Sequence, residues 1–256
     1  MTPRLSIIIL TCNQRDFTLR LLHSMEGWLR ASGNDVEVIL VDNGSTDSTS
    51  ESIRAWLRES GITNLRLIEA GENLGVARGR NLGLKAASGG VLMLLDNDTV
   101  ADGGVYDELC RYVEDTPACG IAAPALYSPD GELQASAKPY PSPWLKLRHV
   151  LSPGRESAAE RAELANPHPY YVIGACQVFR RDILGKVGLL DEGIFYGPED
   201  CDFCIRVRQA GFTIDYLPQL RLTHDWRRAT RRSPLGTLGR RHLKALLRFW
   251  MRHPRP

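Results

Sequence analysis

The stretch Val91–Thr99 places the tightest constraint on the fold, because five apolar residues in a row end in two carboxylates, Asp96 and Asp98. A continuous apolar run with glycines before it and charges after it is typical of a β-strand that is buried on both faces. Side chains two positions apart in extended backbone point to the same side, so the two carboxylates are expected to lie together. Either they form an ordinary acidic turn, or they share a hard divalent cation that relieves their mutual repulsion.

Strand and helix patterns alternate through residues 1–100, which predicts an α/β fold with a mostly parallel, Rossmann-like sheet covered by helices on both faces. The predicted strands are Leu5–Leu10, Val36–Val41, Leu65–Ile68 and Val91–Leu95. The predicted helices are Phe17–Leu29, Ser48–Leu57 and Val76–Ala87. The second of these helices begins with Ser48 and Glu51 in the form of a capping box.

Polar residues directly follow three of the predicted strands. They are Thr11-Cys12-Asn13, Asp42-Asn43-Gly44-Ser45 and Asp96-Asn97-Asp98. Ligands of parallel sheets bind beyond the carboxyl ends of the strands, so the three clusters are expected to meet in one crevice. This convergence favours a ligand site over a simple acidic turn at the end of the fourth strand.

Residues 101–224 have a less regular pattern. The predicted elements are a helix at Val105–Thr116, a short strand at Ile121, a turn at Tyr127–Glu132, a strand at Tyr170–Phe179, a helix opened by the acidic run Glu199–Arg206 and a strand at Thr213–Tyr216. Lys138–Pro169 is rich in proline, serine and charge, which predicts a long loop or a loosely helical excursion.

The charge of the chain is distributed unevenly. From Arg221 onward there are ten arginines and one lysine against one acid, giving +10, so the remainder of a chain with net charge +2 carries −8. Apolar and basic residues interleave in this tail at helical spacing, namely Leu235, Leu238, Leu243, Leu246, Leu247 and Trp250 with Arg240, Arg241, Lys244, Arg248 and Arg252. A basic amphipathic helix can bind an anionic membrane surface, fold back on an acidic body or pair with a partner copy.

Composition narrows the function classes. Nucleic acid is not expected as a partner, because the body is acidic and no nucleic-acid-binding module occurs. No apolar run approaches the length of a membrane span, and Leu5–Leu10 is too short for a signal peptide. Six cysteines without a paired framework suit reduced thiols. We therefore expect a cytoplasmic protein, with peripheral contact at the cytoplasmic face of the membrane as an open alternative.

Six motifs follow one another between Leu5 and His224. They are Ser6–Asn13, Val41–Asp47, Glu72–Gly75 continued through Arg80-Asn81, Leu95–Asp98, Gly174-Ala175 followed by Phe179–Arg181, and Glu199–Arg206. In this combination the chain resembles the inverting glycosyltransferases of family 2, which have the GT-A fold. Among them it is most similar to bacterial enzymes that add rhamnose or related sugars to cell-surface polysaccharides. The resemblance implies transfer of a sugar from a UDP- or dTDP-linked donor to a hydroxyl group of a glycan or lipid-linked acceptor.

The resemblance implies a donor-nucleotide site on the first strands. Asp42 would accept a hydrogen bond from the ring N–H of uracil or thymine, although an aspartate before Asn-Gly is equally a turn former. Thr11 and Asn13 would line the same base and ribose pocket. Asn73 and Gly75 would lie where the chain passes close to the nucleotide.

The resemblance also implies a metal site. Asp98 would ligate Mg²⁺ or Mn²⁺ directly, Asp96 would reach the ribose or a metal-bound water, and His224 would be the third ligand. A lone histidine is otherwise more often structural than a metal ligand. Arg80 would meet the diphosphate; Arg78 is the alternative, and either could be a solvated helix charge.

Asp200 would be the catalytic base. Inversion by direct displacement needs one group that takes the proton of the acceptor hydroxyl as its oxygen attacks. Glu199 would contact acceptor or sugar, and Gly174 and Ala175 would let the backbone approach them. Acids in this position are otherwise ordinary residues of a helix N-terminus.

The expected organisation is a GT-A domain at residues 1–224 followed by a basic amphipathic tail at 225–256. Within the domain, residues 1–100 would bind the donor and 101–224 the acceptor. The alternatives are a catalytically silent protein that binds sugar nucleotides and a sugar nucleotidyltransferase. A sugar nucleotidyltransferase lacks support, since no glycine-rich phosphate loop follows the first strand. The sequence leaves the oligomeric state open.

Overall fold

A computed structural model describes residues 2–145, 158–225 and 237–254 of the chain. Strands and helices alternate in its first part, as the sequence predicts. The elements are β1 (Leu5–Thr11), α1 (Arg15–Ser32), a 3-10 turn (Gly33–Asp35), β2 (Val36–Asp42), α2 (Thr49–Ser60), β3 (Leu65–Glu69), α3 (Val76–Ala86) and β4 (Val91–Asp96).

The later elements are less evenly spaced. They are β5 (Thr99–Val100), α4 (Gly103–Asp115), β6 (Cys119–Tyr127), β7 (Ala137–Lys138), α5 (Ala158–Leu164), β8 (Tyr171–Val172), β9 (Cys176–Arg180), α6 (Asp182–Val187), α7 (Glu199–Gln209), β10 (Thr213–His224) and α8 (Thr237–Arg252). The predicted excursion Lys138–Pro169 includes α5, and its residues 146–157 lie outside the described part of the chain.

Eight strands form one sheet in the order β3-β2-β1-β4-β9-β6-β10-β5. The first four are mutually parallel, β9 runs antiparallel to both its neighbours, and β6 and β10 are parallel to each other. The register places Thr11 beside Asp42 and Leu10 beside Asp96. The polar residues that follow β1, β2 and β4 therefore lie at one edge of the sheet, as predicted.

Helices cover both faces of the sheet. The apolar residues of β4 are 0–2% exposed, which confirms the prediction of a strand buried on both faces. Alternate strand residues face α1, α2 and α4 on one side and α3, α6, α7 and α8 on the other. Since each fully buried Leu, Ile or Val contributes roughly 1.5–3 kcal/mol, these two layers hold the sheet edge in a fixed shape.

Two glycines allow α3 to lie close against β1. A Cβ atom at Gly79 would lie 2.6 Å from Leu10 Cδ1, and one at Gly83 would lie 2.5 Å from Ile8 Cγ2. This close approach carries the polar side chain of Arg80 into the interior of the protein.

The predicted capping box at the start of α2 is wrong. Ser48 has a left-handed backbone, with φ of 62°, and its side chain makes no capping hydrogen bond. Asp47 takes this role in part, since its Oδ1 accepts a 3.3 Å hydrogen bond from the Thr49 N–H. A capping box needs extended backbone at the cap residue, which Ser48 does not have.

The predicted strand Tyr170–Phe179 is divided in the structure. β8 pairs with β7 in a small second sheet, whereas β9 belongs to the main sheet. The chain leaves the strand pattern at Gly174, because its N–H and C=O bind side chains instead of a neighbouring strand. β6 and β10 are longer than predicted, since each extends along the other.

The tail helix α8 folds back on the acidic body, one of the three alternatives that the sequence left open. Arg248 Nε lies 3.0 Å from Asp191 Oδ2, and His253 Nε2 lies 2.8 Å from Asp202 Oδ1. Phe249 is fully buried in the same interface. In the described ranges of the chain, no helix is long and apolar enough to cross a membrane.

Candidate active site

Asp96, Asp98 and His224 lie together at the carboxyl edge of the sheet. Asp96 ends β4, and a tight turn leads into β5, which pairs with β10 so that Thr99 lies opposite His224. The N–H of Asp225 donates a 2.9 Å hydrogen bond to the carbonyl oxygen of Asp98. One possible ligand atom from each of the three side chains lies within 4.8 Å of the other two. The structure therefore brings the three predicted metal ligands together.

Gln134, which the sequence did not single out, orients the ring of His224. Its Nε2 donates a 2.8 Å hydrogen bond to the His224 carbonyl oxygen, so its Oε1 is the atom 2.8 Å from His224 Nδ1. An amide oxygen only accepts, which places the proton of the neutral ring on Nδ1. Nε2, 3.4 Å from Asp98 Oδ1, then carries the lone pair that faces the carboxylates. Support of this kind from the second ring nitrogen is the usual arrangement at a metal-ligating histidine.

The atoms of this cluster suit a divalent cation. Asp98 Oδ1 is buried and accepts no hydrogen bond of normal geometry from any described residue. Burial lowers the pKa of His224, but hydrogen bonding to Asp98 and the charges of Asp98 and Asp96 outweigh this effect, so the net shift is upward. The pKa of Asp96 is also raised. Partial burial is the main cause, the charge of Asp98 adds to it, and the nearby Arg80 cation opposes it. Carboxylate oxygens and an imidazole nitrogen in such negative surroundings are suitable ligands for Mg²⁺ or Mn²⁺.

Asn97, between the two acids, points into the protein. Its Nδ2 donates hydrogen bonds to Thr18 Oγ1 at 2.9 Å and to Thr11 Oγ1 at 3.2 Å. The two threonine hydroxyl groups are 2.8 Å apart, and both residues are buried. Thr11 therefore supports the acidic turn from beneath, and its hydroxyl group is used inside the protein.

Of the two candidate arginines, Arg80 belongs to the acid cluster. Its side chain is only 3% exposed, and its Nη2 lies 2.5 Å from Asp96 Oδ1. Arg78 is 54% exposed and lies 3.7 Å from Glu192 on the surface. Arg80 is thus a buried partner of Asp96, whereas Arg78 has the character of a solvated helix charge.

Gly174 connects this cluster to Asp200. Its carbonyl oxygen accepts a 2.7 Å hydrogen bond from Arg80 Nη2, and its N–H donates a 3.1 Å hydrogen bond to Asp200 Oδ2. The next carbonyl, that of Ala175, accepts from the Asp96 N–H at 2.9 Å. A Cβ atom at position 174 would lie 2.5 Å from Arg80 Nη1, so the arginine would have to shift to accept any other residue there. A short series of hydrogen bonds therefore joins Asp96 to Asp200.

Asp200 and Glu199 open α7 and have different surroundings. Both carboxylate oxygens of Asp200 accept backbone hydrogen bonds, from Gly174 at 3.1 Å and from Cys201 at 2.7 Å. Glu199 is buried, and its Oε2 has no hydrogen-bond partner within the described ranges. Burial, with the charge of Asp200, raises the pKa of Glu199 to about 7, although Arg80 opposes the rise. Such a pair of unlike carboxyl groups is typical of sites that move protons.

The loops after β1, β2 and β3 hold one another through side-chain hydrogen bonds. Asp42 Oδ1 accepts from the backbone N–H of Ser45 at 2.9 Å, which is the turn-forming role that the sequence left as an alternative. Asn13 Oδ1 accepts from the Thr46 N–H at 2.7 Å. Asn73 lies further along the same edge, where its Nδ2 is 3.5 Å from Cys12 Sγ. These contacts place Asn13, Asp42 and Asn73 on adjoining loops.

Asn43, another residue without a predicted site role, ties the end of β2 to the start of α3. Its Oδ1 accepts from the Leu74 N–H at 3.0 Å, and its Nδ2 donates to the Gly75 carbonyl oxygen at 3.2 Å. Gly75 has φ of 84°, and a Cβ atom there would lie 2.5 Å from the carbonyl oxygen of Phe195. The Val76 N–H donates to that same oxygen at 2.7 Å. The segment that precedes Glu199 and Asp200 therefore packs directly on the loop between β3 and α3.

The pKa of Glu199 leads to a prediction about stability. Because it rises from 4.5 to about 7 on folding, the folded chain holds a proton that the unfolded chain has released over this range. The free energy of unfolding should therefore fall as pH rises through this window and stay low above it, by up to roughly 3 kcal/mol. Glu199→Gln should remove this fall, so that above neutral pH the variant is more stable than the parent. Urea unfolding at a series of pH values measures the difference.

Glu108→Gln is the matched control, because Glu108 is exposed on α4 and the substitution removes the same charge. Its stability should follow that of the parent across the pH range. Parallel curves for the parent and Glu199→Gln would contradict the assignment of a proton to Glu199.

Sequence comparison identifies the family. The model of Glycosyl transferase family 2 matches residues 6–188, which is well over half of the chain, so the chain belongs to this family and is a glycosyltransferase. A curated relative from Mycobacterium tuberculosis, N-acetylglucosaminyl-diphospho-decaprenol L-rhamnosyltransferase, is 29% identical over 99% of this chain and 86% of its own length. The family resemblance drawn from the motifs, including its rhamnosyltransferase-like character, is confirmed.

Solved structures confirm the GT-A fold. A mannosyltransferase from Pyrobaculum calidifontis, solved with GDP-Man and Mn²⁺, has a TM-score of 0.65 at 18% identity, over 90% of this chain and 59% of its own. GalNAc-T7, solved with UDP, GalNAc and Mn²⁺, has a TM-score of 0.66 at 17% identity, over 89% of this chain and 44% of its own. The chain thus spans about half the length of these two proteins, and at such identities the likeness concerns the fold.

Proposed function

We propose that the chain is a metal-dependent, inverting glycosyltransferase that moves a hexosyl or deoxyhexosyl group from a UDP- or dTDP-linked donor to a hydroxyl group of a glycan or lipid-linked acceptor. One observation carries the proposal. Asp96, Asp98 and His224 converge at the carboxyl edge of the sheet, and hydrogen bonds through Arg80 join them to Asp200. The name of the mycobacterial relative, an L-rhamnosyltransferase acting on a diphospho-decaprenol compound, supports a deoxyhexosyl group and a lipid-linked acceptor.

The donor nucleotide would lie against the loops that carry Asn13, Asp42, Asn73 and Gly75. Asp42 already accepts two hydrogen bonds within the protein. A carboxylate offers about four acceptor sites, so it can still accept one from the ring N–H of uracil or thymine. Thr11 would contribute from beneath, by holding the turn that carries the acids.

Asp98 and His224, with Asp96, would hold Mg²⁺ or Mn²⁺. When bound, such a cation offsets the negative charge that develops on the departing nucleoside diphosphate. Gln134 keeps the Nε2 atom of His224 directed at the carboxylates. Arg80 fixes the position of Asp96, which would face the ribose.

Asp200 would accept the proton of the acceptor hydroxyl. The hydroxyl oxygen forms a bond to C1 of the sugar on the face opposite the diphosphate, and the bond from C1 to the diphosphate oxygen breaks with its electron pair. A single displacement of this kind inverts the configuration at C1. The two backbone donors to Asp200 hold its carboxylate in one orientation, while Glu199, Gly174 and Ala175 would contact acceptor or sugar.

The proposal assigns donor binding to residues 1–100, acceptor binding to 101–224 and a separate role to the tail at 225–256. It also includes a location in the cytoplasm at the face of the membrane, where a lipid-linked acceptor would lie. The packing of Phe195 on Gly75 supports close cooperation between the two halves.

Thermal unfolding with UDP, dTDP, GDP or CMP, each with Mn²⁺ and with EDTA, tests the proposal. A ligand that binds only the folded state stabilises it by about 2.7 kcal/mol at a hundred times its Kd. UDP or dTDP should raise the unfolding temperature with Mn²⁺ and not with EDTA. In a separate transfer assay, the product should have the inverted anomeric configuration. No shift with any nucleotide would mean that Asp96 and Asp98 are not part of a donor site, and it would contradict the proposal.

A further inference from the structure

The C-terminal helix α8 has two unlike faces. Its inner face is fixed to the body by Phe249, which is fully buried, and by Arg248, which pairs with Asp191. His242 Nδ1 lies 3.1 Å from the carbonyl oxygens of Tyr196 and Gly197, in the segment that precedes Glu199 and Asp200. The helix therefore has its tertiary partner already, and among the described residues its opposite face is exposed.

Three large apolar side chains occupy this opposite face. Leu243 is 56% exposed, Leu247 52% and Met251 77%. They are four residues apart, which places them in one line along the helix, here called the outer stripe. Apolar side chains of this size are rarely left exposed together on a soluble protein unless they meet another surface.

Basic residues flank the outer stripe. Arg240 and Lys244 are exposed and lie one helical turn apart beside it. Arg248 and Arg252, by contrast, lie against Asp191, so their charge is used in holding the helix on the body. The solvent-facing side of α8 thus combines an apolar line with cationic side chains that the fold of the described residues does not require.

Aromatic side chains line a groove near the C-terminal end of α8. Trp144 is 74% exposed. It lies with Tyr140 and Trp250 along an open groove of about 700 Å³ at the C-terminal end of α8. Tryptophan and tyrosine are enriched where a protein meets the boundary between lipid and water.

We propose that the outer stripe docks on an anionic lipid bilayer, with Leu243, Leu247 and Met251 in the interfacial layer and Arg240 and Lys244 against lipid phosphates. An apolar face beside a basic flank is complementary to such a surface. A second copy of the chain suits the stripe less well, because pairing two stripes would place four like charges, Arg240 and Lys244 of each copy, beside one small apolar interface. The surface goes beyond the proposed transfer reaction, since it shares no side chain with the metal cluster or Asp200.

Vesicle sedimentation tests the docking surface. The full chain is mixed with vesicles of phosphatidylcholine alone or of phosphatidylcholine and phosphatidylglycerol, at low and at physiological salt. We expect binding to the anionic vesicles that weakens as salt rises, because screening shortens the reach of surface charges to roughly 8 Å at physiological ionic strength. The combined variant Leu243→Gln, Leu247→Gln, Met251→Gln should weaken binding by at least about a hundredfold.

The charge of the flank is tested separately. Arg240→Gln with Lys244→Gln should weaken binding to anionic vesicles about thirtyfold, at roughly fivefold for each charge removed near the surface. Arg58→Gln with Arg111→Gln is the matched control, because these exposed arginines lie on α2 and α4, which cover the other face of the sheet. This control should change binding about twofold or less.

Three outcomes would overturn the proposal. They are failure of the parent to bind anionic vesicles, equal binding to neutral and anionic vesicles at all salt concentrations, and unchanged binding by the stripe variant. Sedimentation velocity without vesicles tests whether a second copy of the chain binds the stripe instead. If the parent is a dimer and the stripe variant is a monomer, the surface is a dimer interface. Thermal unfolding with UDP and Mn²⁺ reports on the donor site of every variant, so loss of docking and loss of the proposed function are distinguishable.

Discussion

Asp200→Asn is expected to lower the rate of sugar transfer by roughly 10²–10⁴-fold, the contribution of a positioned general base. Asparagine has nearly the shape of aspartate and keeps one acceptor oxygen, which can serve one of the two backbone N–H groups that Asp200 binds. The variant should therefore fold, and its binding of nucleotide with Mn²⁺ should change about twofold or less. Steady-state transfer and nucleotide-dependent thermal unfolding, measured on the same preparation, separate the two effects.

Asp182→Asn is the matched control for this experiment. Asp182 also lies in the first turn of a helix, α6, and pairs on the surface with Arg180 and Lys186. Its neighbour Arg181 binds the Gly90 carbonyl oxygen at the amino end of β4, at the edge of the sheet opposite the site. Asp182→Asn should thus retain transfer, and a loss of nucleotide binding in Asp200→Asn that matches its loss of transfer would contradict the base assignment.

Glu199→Gln distinguishes the two carboxyl groups of α7. If Asp200 is the base, the Glu199 variant should lose less activity, because a neutral glutamine resembles the protonated side chain that its pKa of about 7 implies near neutral pH. A larger loss in Glu199→Gln than in Asp200→Asn would transfer the base role to Glu199. This alternative has structural support, because the buried Oε2 atom of Glu199 has no hydrogen-bond partner among the described residues and could bind an acceptor hydroxyl.

The sequence predicted the part of the fold that depends on local pattern. Val91–Leu95 was predicted as a buried strand from its apolar run, and the parallel direction of the first strands was predicted from the alternation of strands and helices. The lengths of β6 and β10 did not follow, because these strands are extended by pairing with each other and not by their own composition. Ser48 failed as a cap for a similar reason, since the turn after β2 fixes its backbone in the left-handed region.

Within the site, residue types were easier to predict than their environments. The acid pair and His224 were recognisable from motifs, but Gln134 lies ninety residues before His224 and belongs to no local pattern. The different surroundings of Asp200 and Glu199 depend on Gly174 and Arg80, which reach α7 only in the folded protein. The amphipathic pattern of the tail predicted a helix with an apolar face, but it did not show which surface that helix would pack against.

Removal of the proposed metal ligands is the second change with a large expected effect. Asp98→Ala and His224→Ala should each abolish the stabilisation that UDP or dTDP gives with Mn²⁺, because each removes one atom of a cluster that converges within 4.8 Å. Gln134→Leu should be milder, since it leaves the ligands in place and removes only the hydrogen bond to His224 Nδ1. Loss of such a supporting partner typically costs about 10–100-fold in metal affinity. Titration of Mn²⁺ at fixed nucleotide measures all three.

Asp225→Asn supplies the control for charge. Asp225 follows His224 directly and pairs with Arg20 at 3.1 Å, so the substitution removes a nearby negative charge without removing a member of the cluster. Its Mn²⁺ requirement should stay close to that of the parent. If Asp225→Asn and Asp98→Ala raised the requirement equally, the cluster would act only through its net charge. If His224→Ala left the requirement unchanged, His224 would be a structural residue and the cation would depend on the carboxylates alone.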